Sequence, residues 1–149
     1  ESQLDRFLMR LSLGYPDPVA ERRLLLQGDA LGLDRLERLI SPEELLNIKL
    51  AIQQMNLSDS LIGYIQRLTA FTREAREFAV GLSPRGALAL VRAARTWALM
   101  SGRDYVIPED VQLMMPVVVG HRVIPSADYS GDGSALVALL LASVDVIPE

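Results

Sequence analysis

The sequence has no cysteine and a single histidine, His121. The first absence excludes disulfides and thiolate metal sites, and the second leaves no histidine cluster for a catalytic metal. His121 lies beside Val118, Val119 and Val123, which predicts a packed or hydrogen-bonded structural histidine. Long hydrophobic runs are missing too. The longest strongly apolar stretch, 135–142, falls far short of the roughly 20 residues a membrane helix needs, and the N-terminus has no basic-plus-apolar signal pattern. The expectation is a soluble, cytoplasmic protein with no membrane partner. GxxxxGK(S/T), HExxH, GxSxG and paired-glycine dinucleotide fingerprints are all absent, so the chain taken alone is expected to be catalytically inactive.

What is present is apolar and slightly acidic. The formal net charge of −4 argues against a general nucleic-acid binder, because counterion release needs a concentrated basic surface. Arg85, Arg92 and Arg95 fall roughly on one helical side, but three residues make a weak patch. The 149 residues suffice for one ordinary domain, or for a domain plus part of another. Half of them are hydrophobic, and the chain starts Glu-Ser-Gln-Leu rather than with Met. Both features lead us to expect a piece of something larger, whose apolar surplus is covered by the rest of its own chain or by a neighbouring copy.

The stretch 81–100, GLSPRGALALVRAARTWALM, organises the chain. Ser83 is a good N-cap, and Pro84 suits the first helical position, where its missing N–H has no partner anyway. Ala87, Leu90, Val91, Ala94, Trp97 and Ala98 follow at a spacing that paints one side of a helix. Arg85 stands in the first turn, where free N–H groups and the helix dipole already favour an anion. For stability alone a cation is poorly placed there. Two readings stay open on the local pattern: Arg85 points into water or pairs with a carboxylate, or its planar fork closes on phosphate oxygens beside the helix end.

Around this helix the pattern predicts an all-α bundle. A short turn or helix over 3–7 runs into an extended segment where Met9, Leu11 and Leu13 alternate with Arg10 and Ser12, a strand of a sheet mostly absent here. Asp17-Pro18 opens a helix that Gly28 ends, and a helical turn is expected over 34–40. Ser41 and Glu44 have capping-box spacing, and Leu45, Ile48, Ile52 and Met55 form the predicted buried stripe of that helix. Ser58 caps the next, with Leu61, Ile62, Ile65 and Leu68 inward. Residues 72–80 either continue that helix or form a loop. Gly102 ends the organising helix, 104–107 suits a short strand, and Pro108-Glu109-Asp110 opens a helix that Pro116 kinks or terminates. Asp132 lacks the companions a calcium site needs, and a last helix covers 135–143.

Read in order, ESQLDRFLMRLSLGYPDP, SDSLIGYIQRLTAFTRE, GLSPRGALALVRAARTWALMSGRDYVIPEDVQ and GHRV make this chain similar to the C-terminal part of MoxR-type AAA+ ATPases. The resemblance covers residues 1–18 and 58–124, and the three motifs LDRF, SPRGALALVRAAR and GRDYVIPEDV carry it together. It implies that residues 1–15 end an AAA+ core, 16–124 form the helical lid, and 125–149 are a tail with a short helix. It also implies ATP, with Mg2+ bound by the core, and a homo-oligomer, typically a hexameric ring. A client protein, and a partner containing a von Willebrand factor A domain, are implied as well. Arg6 in LDRF matches the arginine finger offered to ATP on the next subunit. Arg85 in SPRG matches the sensor 2 arginine, with Ser83 and Pro84 shaping its helix start. Gly86 stands where the family often has Ala, a departure that predicts a looser first turn. The competing view of Arg6 is a salt bridge to Asp5 or another nearby carboxylate. The competing view of the whole is a free-standing helical interaction module.

Overall fold

In a computed structural model, residues 4–27 and 37–148 are described. They form a 3-10 turn at Leu4–Arg6 and six helices: α1 (Pro18–Gln27), α2 (Pro42–Gln54), α3 (Asp59–Glu74), α4 (Pro84–Met100), α5 (Pro108–Val118) and α6 (Gly133–Ser143). Two short strands, β1 (Phe78–Val80) and β2 (Ile124–Pro125), pair antiparallel, with Phe78 opposite Pro125 and Val80 opposite Ile124. No described helix is long and apolar enough to cross a membrane.

The helix starts follow from local chemistry. Asp17 Oδ1 accepts from the N–H groups of Val19 and Ala20 at 2.9 and 2.8 Å, so α1 begins at Pro18. Ser41 and Glu44 exchange both bonds of the capping box, and those bonds hold the Glu44 carboxyl below its ordinary pKa. Ser58 Oγ accepts from Leu61 N–H, and Asp132, the residue set aside as a calcium ligand, caps α6 through Ser134 and Ala135. At Gly102 a φ of +75° lets the chain leave α4, as expected of the glycine there.

The core lies among α3, α4, α5 and α6, with α4 against α5 the most extensive pairing. Tyr64, Leu68, Leu90, Ala94, Val111, Met115, Val118, Leu136 and Leu140 are all buried there. On α4 the buried side is turned from the predicted one. Gly86, Ala89, Leu90, Ala93, Ala94 and Ala98 are inside, Ala87 and Val91 are half-buried, and Trp97 is exposed. Small residues face α5, and the bulky indole is left at the margin. The organising helix therefore presents an alanine seam rather than a large apolar stripe.

Other expectations come out differently. The α2 stripe is buried only at Met55; Leu45 and Ile48 are exposed, because α2 packs on α4 at one side and on nothing described at the other. The alternating segment after the 3-10 turn is no strand and contributes a single backbone bond, Arg10 N–H to Val117 C=O at 2.8 Å. The segment 72–80 divides, with α3 continuing to Glu74 before β1. The predicted strand at 104–107 is one bridge, Tyr105 to Asn56. Pro116 sits within α5, whose last residue is Val118. The stop at Gly28 and the first part of the turn over 34–40 lie outside the described residues, and 37–40 is not helical.

Candidate functional site

The site is the N-terminal end of α4. Ser83 is its N-cap, with φ −69° and ψ 159°, and its Oγ accepts from Gly86 N–H at 3.0 Å. Pro84 follows at the first helical position, and no acidic residue occupies the first turn. Arg85 is exposed, and among the described residues no acceptor bonds its guanidinium. Of the first local reading, the carboxylate pair is not formed among the described residues and Arg85 points into solvent. Gly86 N–H is bonded to Ser83 Oγ, Ala87 N–H to Ser83 C=O, and Pro84 has no N–H, so it is the exposed Arg85 guanidinium rather than the first-turn N–H groups that could meet an anion here.

The Ser83 hydroxyl has a second role. It donates to the Asp5 carboxylate, 3.1 and 3.2 Å from the two oxygens, so the LDR turn is held at the start of α4 although 78 residues separate the partners. Asp5 Oδ1 also accepts from Arg122 Nε at 3.1 Å. The expected alternative, an Arg6–Asp5 pair, does not form, because the Asp5 carboxylate is turned to Ser83 and Arg122. Arg6 is exposed.

Arg122 is the residue the sequence reading passed over. Its side chain is only 2% exposed, yet among the described residues Asp5 is the single carboxylate it meets. Besides His121, its other partners are backbone: Asp5 C=O at 3.3 Å, Leu8 C=O at 3.2 Å, and the carbonyls of Phe7 and Val118. Burying a guanidinium is costly unless its donors are satisfied, and here the segment 5–8 supplies most of the acceptors. The available signal was an arginine inside the apolar run VVVGHRVI, where burial compels partners.

His121 completes the cluster. Its Nε2 lies 2.8 Å from Arg122 Nη1 and 3.3 Å from the Phe7 carbonyl. Burial, and then the Arg122 charge, hold its pKa below 6.5, against an opposing pull from the Phe7 carbonyl. The structural role expected for this histidine is the one seen. Asp5, Ser83, His121 and Arg122 line one cleft of about 370 Å3.

Gly86 is packed rather than loose. A Cβ there would stand 2.5 Å from Leu82 Cδ1 and 3.0 Å from Arg122 Cδ, so the glycine makes room first for Leu82 and then for the buried arginine stem. Asp110, expected as a helix-start carboxylate, accepts from Ile107 N–H at 2.9 Å and takes a two-pronged bond from Arg103 at 2.5 and 2.7 Å. Burial pushes its pKa up; the Arg103 fork and the Ile107 N–H more than offset this and leave it below the ordinary 3.8. It is a brace between the α4 exit and α5, away from the Arg85 end. Among the described residues no three His, Cys, Asp or Glu side chains gather as a metal site.

Comparison with known proteins agrees with this architecture. Residues 70–138 match the AAA lid domain family. The chain is 37% identical over 98% of its length to the uncharacterized protein YeaC of Bacillus subtilis, covering 47% of that protein. It is 30% identical over its whole length to chaperone MoxR1 of Mycobacterium tuberculosis, covering 44% of it. The solved structure of a candidate ATPase from Cytophaga hutchinsonii superposes with a TM-score of 0.83 at 26% identity, over 99% of this chain and 48% of that one. The chain thus spans less than half the length of each of these proteins.

Proposed function

We propose that this chain carries the lid region of a MoxR-type AAA+ protein, and that the full-length protein is an ATPase in which this region reads bound nucleotide and converts its turnover into remodelling of client proteins. The reading keeps 1–15 as the end of the core, 16–124 as the lid and 125–149 as the tail. It takes the P-loop, the Walker B acid and the Mg2+ ligands to belong to a part of the protein outside this chain. The assembly is a cytoplasmic homo-oligomeric ring, with a client and a von Willebrand factor A domain protein as partners.

One observation carries the proposal: the first turn of α4 presents Arg85 unpaired among the described residues, with no carboxylate in that turn, while Asp5 holds the Arg6 turn at the same helix end. ATP, when bound, supplies the γ-phosphoryl group transferred to water. Arg85 binds phosphate oxygens at the start of α4, and its position on a rigid helix lets the lid follow the nucleotide. Arg6 reaches from the tethered turn to the site of the next subunit, where a fixed guanidinium stabilises charge developing on the equatorial oxygens. Ser83 and Pro84 fix where the helix starts and hence where Arg85 stands.

The test is steady-state turnover of the full-length protein. Arg6→Ala is expected to lower it about 10³-fold or more, the scale of a missing finger, and Arg85→Ala to abolish it. Undiminished turnover in both variants removes the assignment.

A further inference from the structure

Arg6 sits in a turn of three residues closed by a bond from Phe7 N–H to Leu4 C=O at 3.2 Å. A single turn does not maintain itself in water, because it fixes several dihedrals for one hydrogen bond. Yet a finger must be accurate, since a displacement of about 1 Å can cost about 100-fold in rate. Something other than the turn must hold it.

The Arg122 guanidinium bonds the carbonyls of residues 5, 7 and 8 and the Asp5 carboxylate. These acceptors bracket Arg6 on both sides and leave its own side chain untouched. Arg122 is itself immobilised by Val118 C=O and His121 Nε2, both at the α5 end of the core. Asp5 in turn is bonded to Ser83 Oγ, the cap of the helix that bears Arg85. We infer that Arg122 is the positioning residue for Arg6, and that the Asp5–Arg122 clasp registers the Arg6 turn against the start of α4. This rests on the reading of Arg6 as the finger. Ordinary packing explains a buried arginine, but not why three of its four carbonyl acceptors come from the four-residue segment 5–8.

The experiment compares Arg122→Met, Arg122→Lys and Asp5→Asn with Arg6→Ala in the full-length protein. Three quantities are read: kcat for ATP, the Kd of a fluorescent ATP analogue, and amide hydrogen exchange of peptides covering 4–13 and α3–α6. Arg122→Met is expected to lower kcat about 10–100-fold with Kd within about two-fold, and to speed exchange in 4–13 alone. Arg122→Lys, which restores a charge and fewer donors, recovers part of the rate. Asp5→Asn, altered at a half-exposed position, shows a smaller change of the same kind and stands in if Arg122→Met does not fold. Faster exchange throughout the bundle, or a weakened Kd equal to the loss of rate, overturns the positioning role, as does an unchanged kcat. If Arg6→Ala itself turns over ATP normally, the finger reading falls and this inference with it. If Arg6→Ala is crippled while Arg122→Met is not, only the clasp is wrong.

Discussion

Two regions of this chain use leucine-rich helices in opposite ways. In α3–α6, Leu61, Leu68, Leu90, Leu136 and Leu140 are buried in one core. On α1 and α2, Leu24, Leu25, Leu26, Leu45, Leu46 and Leu50 are exposed, between 42% and 82%. The helix starts are equally well made in both, since Asp17 and Ser41 cap as effectively as Ser58 and Ser83. Local signals thus specify a helix wherever they occur, and a periodic apolar face becomes core only where another element meets it.

The contrast is sharpest in side-chain truncation. Leu90→Ala, at a fully buried α4 position, is expected to cost about 2–5 kcal/mol in urea unfolding, whereas Leu46→Ala on α2 stays within about 0.5 kcal/mol. Equal losses would break the comparison. A large Leu46 effect confined to the full-length protein would sharpen it, by showing that α2 gains a cover there.

The next effect concerns the brace between α4 and α5. Asp110→Asn leaves the Arg103 guanidinium, 22% exposed, without its carboxylate, and should cost about 2–3 kcal/mol. Because the folded carboxyl titrates below its ordinary value, this contribution is present above about pH 4 and disappears as pH falls through the lowered pKa. Unfolding curves for Asp110→Asn should therefore converge on those of the unaltered chain in acid.

The smallest expected effect is at His121. Its folded pKa lies below 6.5, so the unfolded chain binds the proton first and stability declines as pH drops below about 6.5 and through the lowered folded pKa. His121→Gln should flatten that part of the profile. A slope that persists unchanged would show that other groups set it.

Much of the fold was legible because capping is local. Ser41–Glu44, Ser58, Ser83-Pro84 and Gly102 each act within a few residues, and each lies where the pattern put it. The α4 stripe was legible only approximately, since Trp97 and Ala93 differ little in periodicity and greatly in what can fit against α5. The candidate site was half legible. Arg6 and Arg85 were singled out through motifs, and Gly86 was seen as a departure without its reason, the Leu82 side chain and the stem of Arg122 lying against it.

By itself the amino-acid sequence determined the helices, their starts and the helix end at which Arg85 stands, because hydrogen bonds between near neighbours set those. Only the tertiary structure decided which faces are covered and that Asp5, Ser83 and Arg122 meet. The two contacts, Asp5 to Ser83 and Asp5 to Arg122, join residues 78 and 117 positions apart. No periodicity encodes such a meeting; it follows from a buried guanidinium drawing carbonyls from whichever segment the packed helices bring beside it.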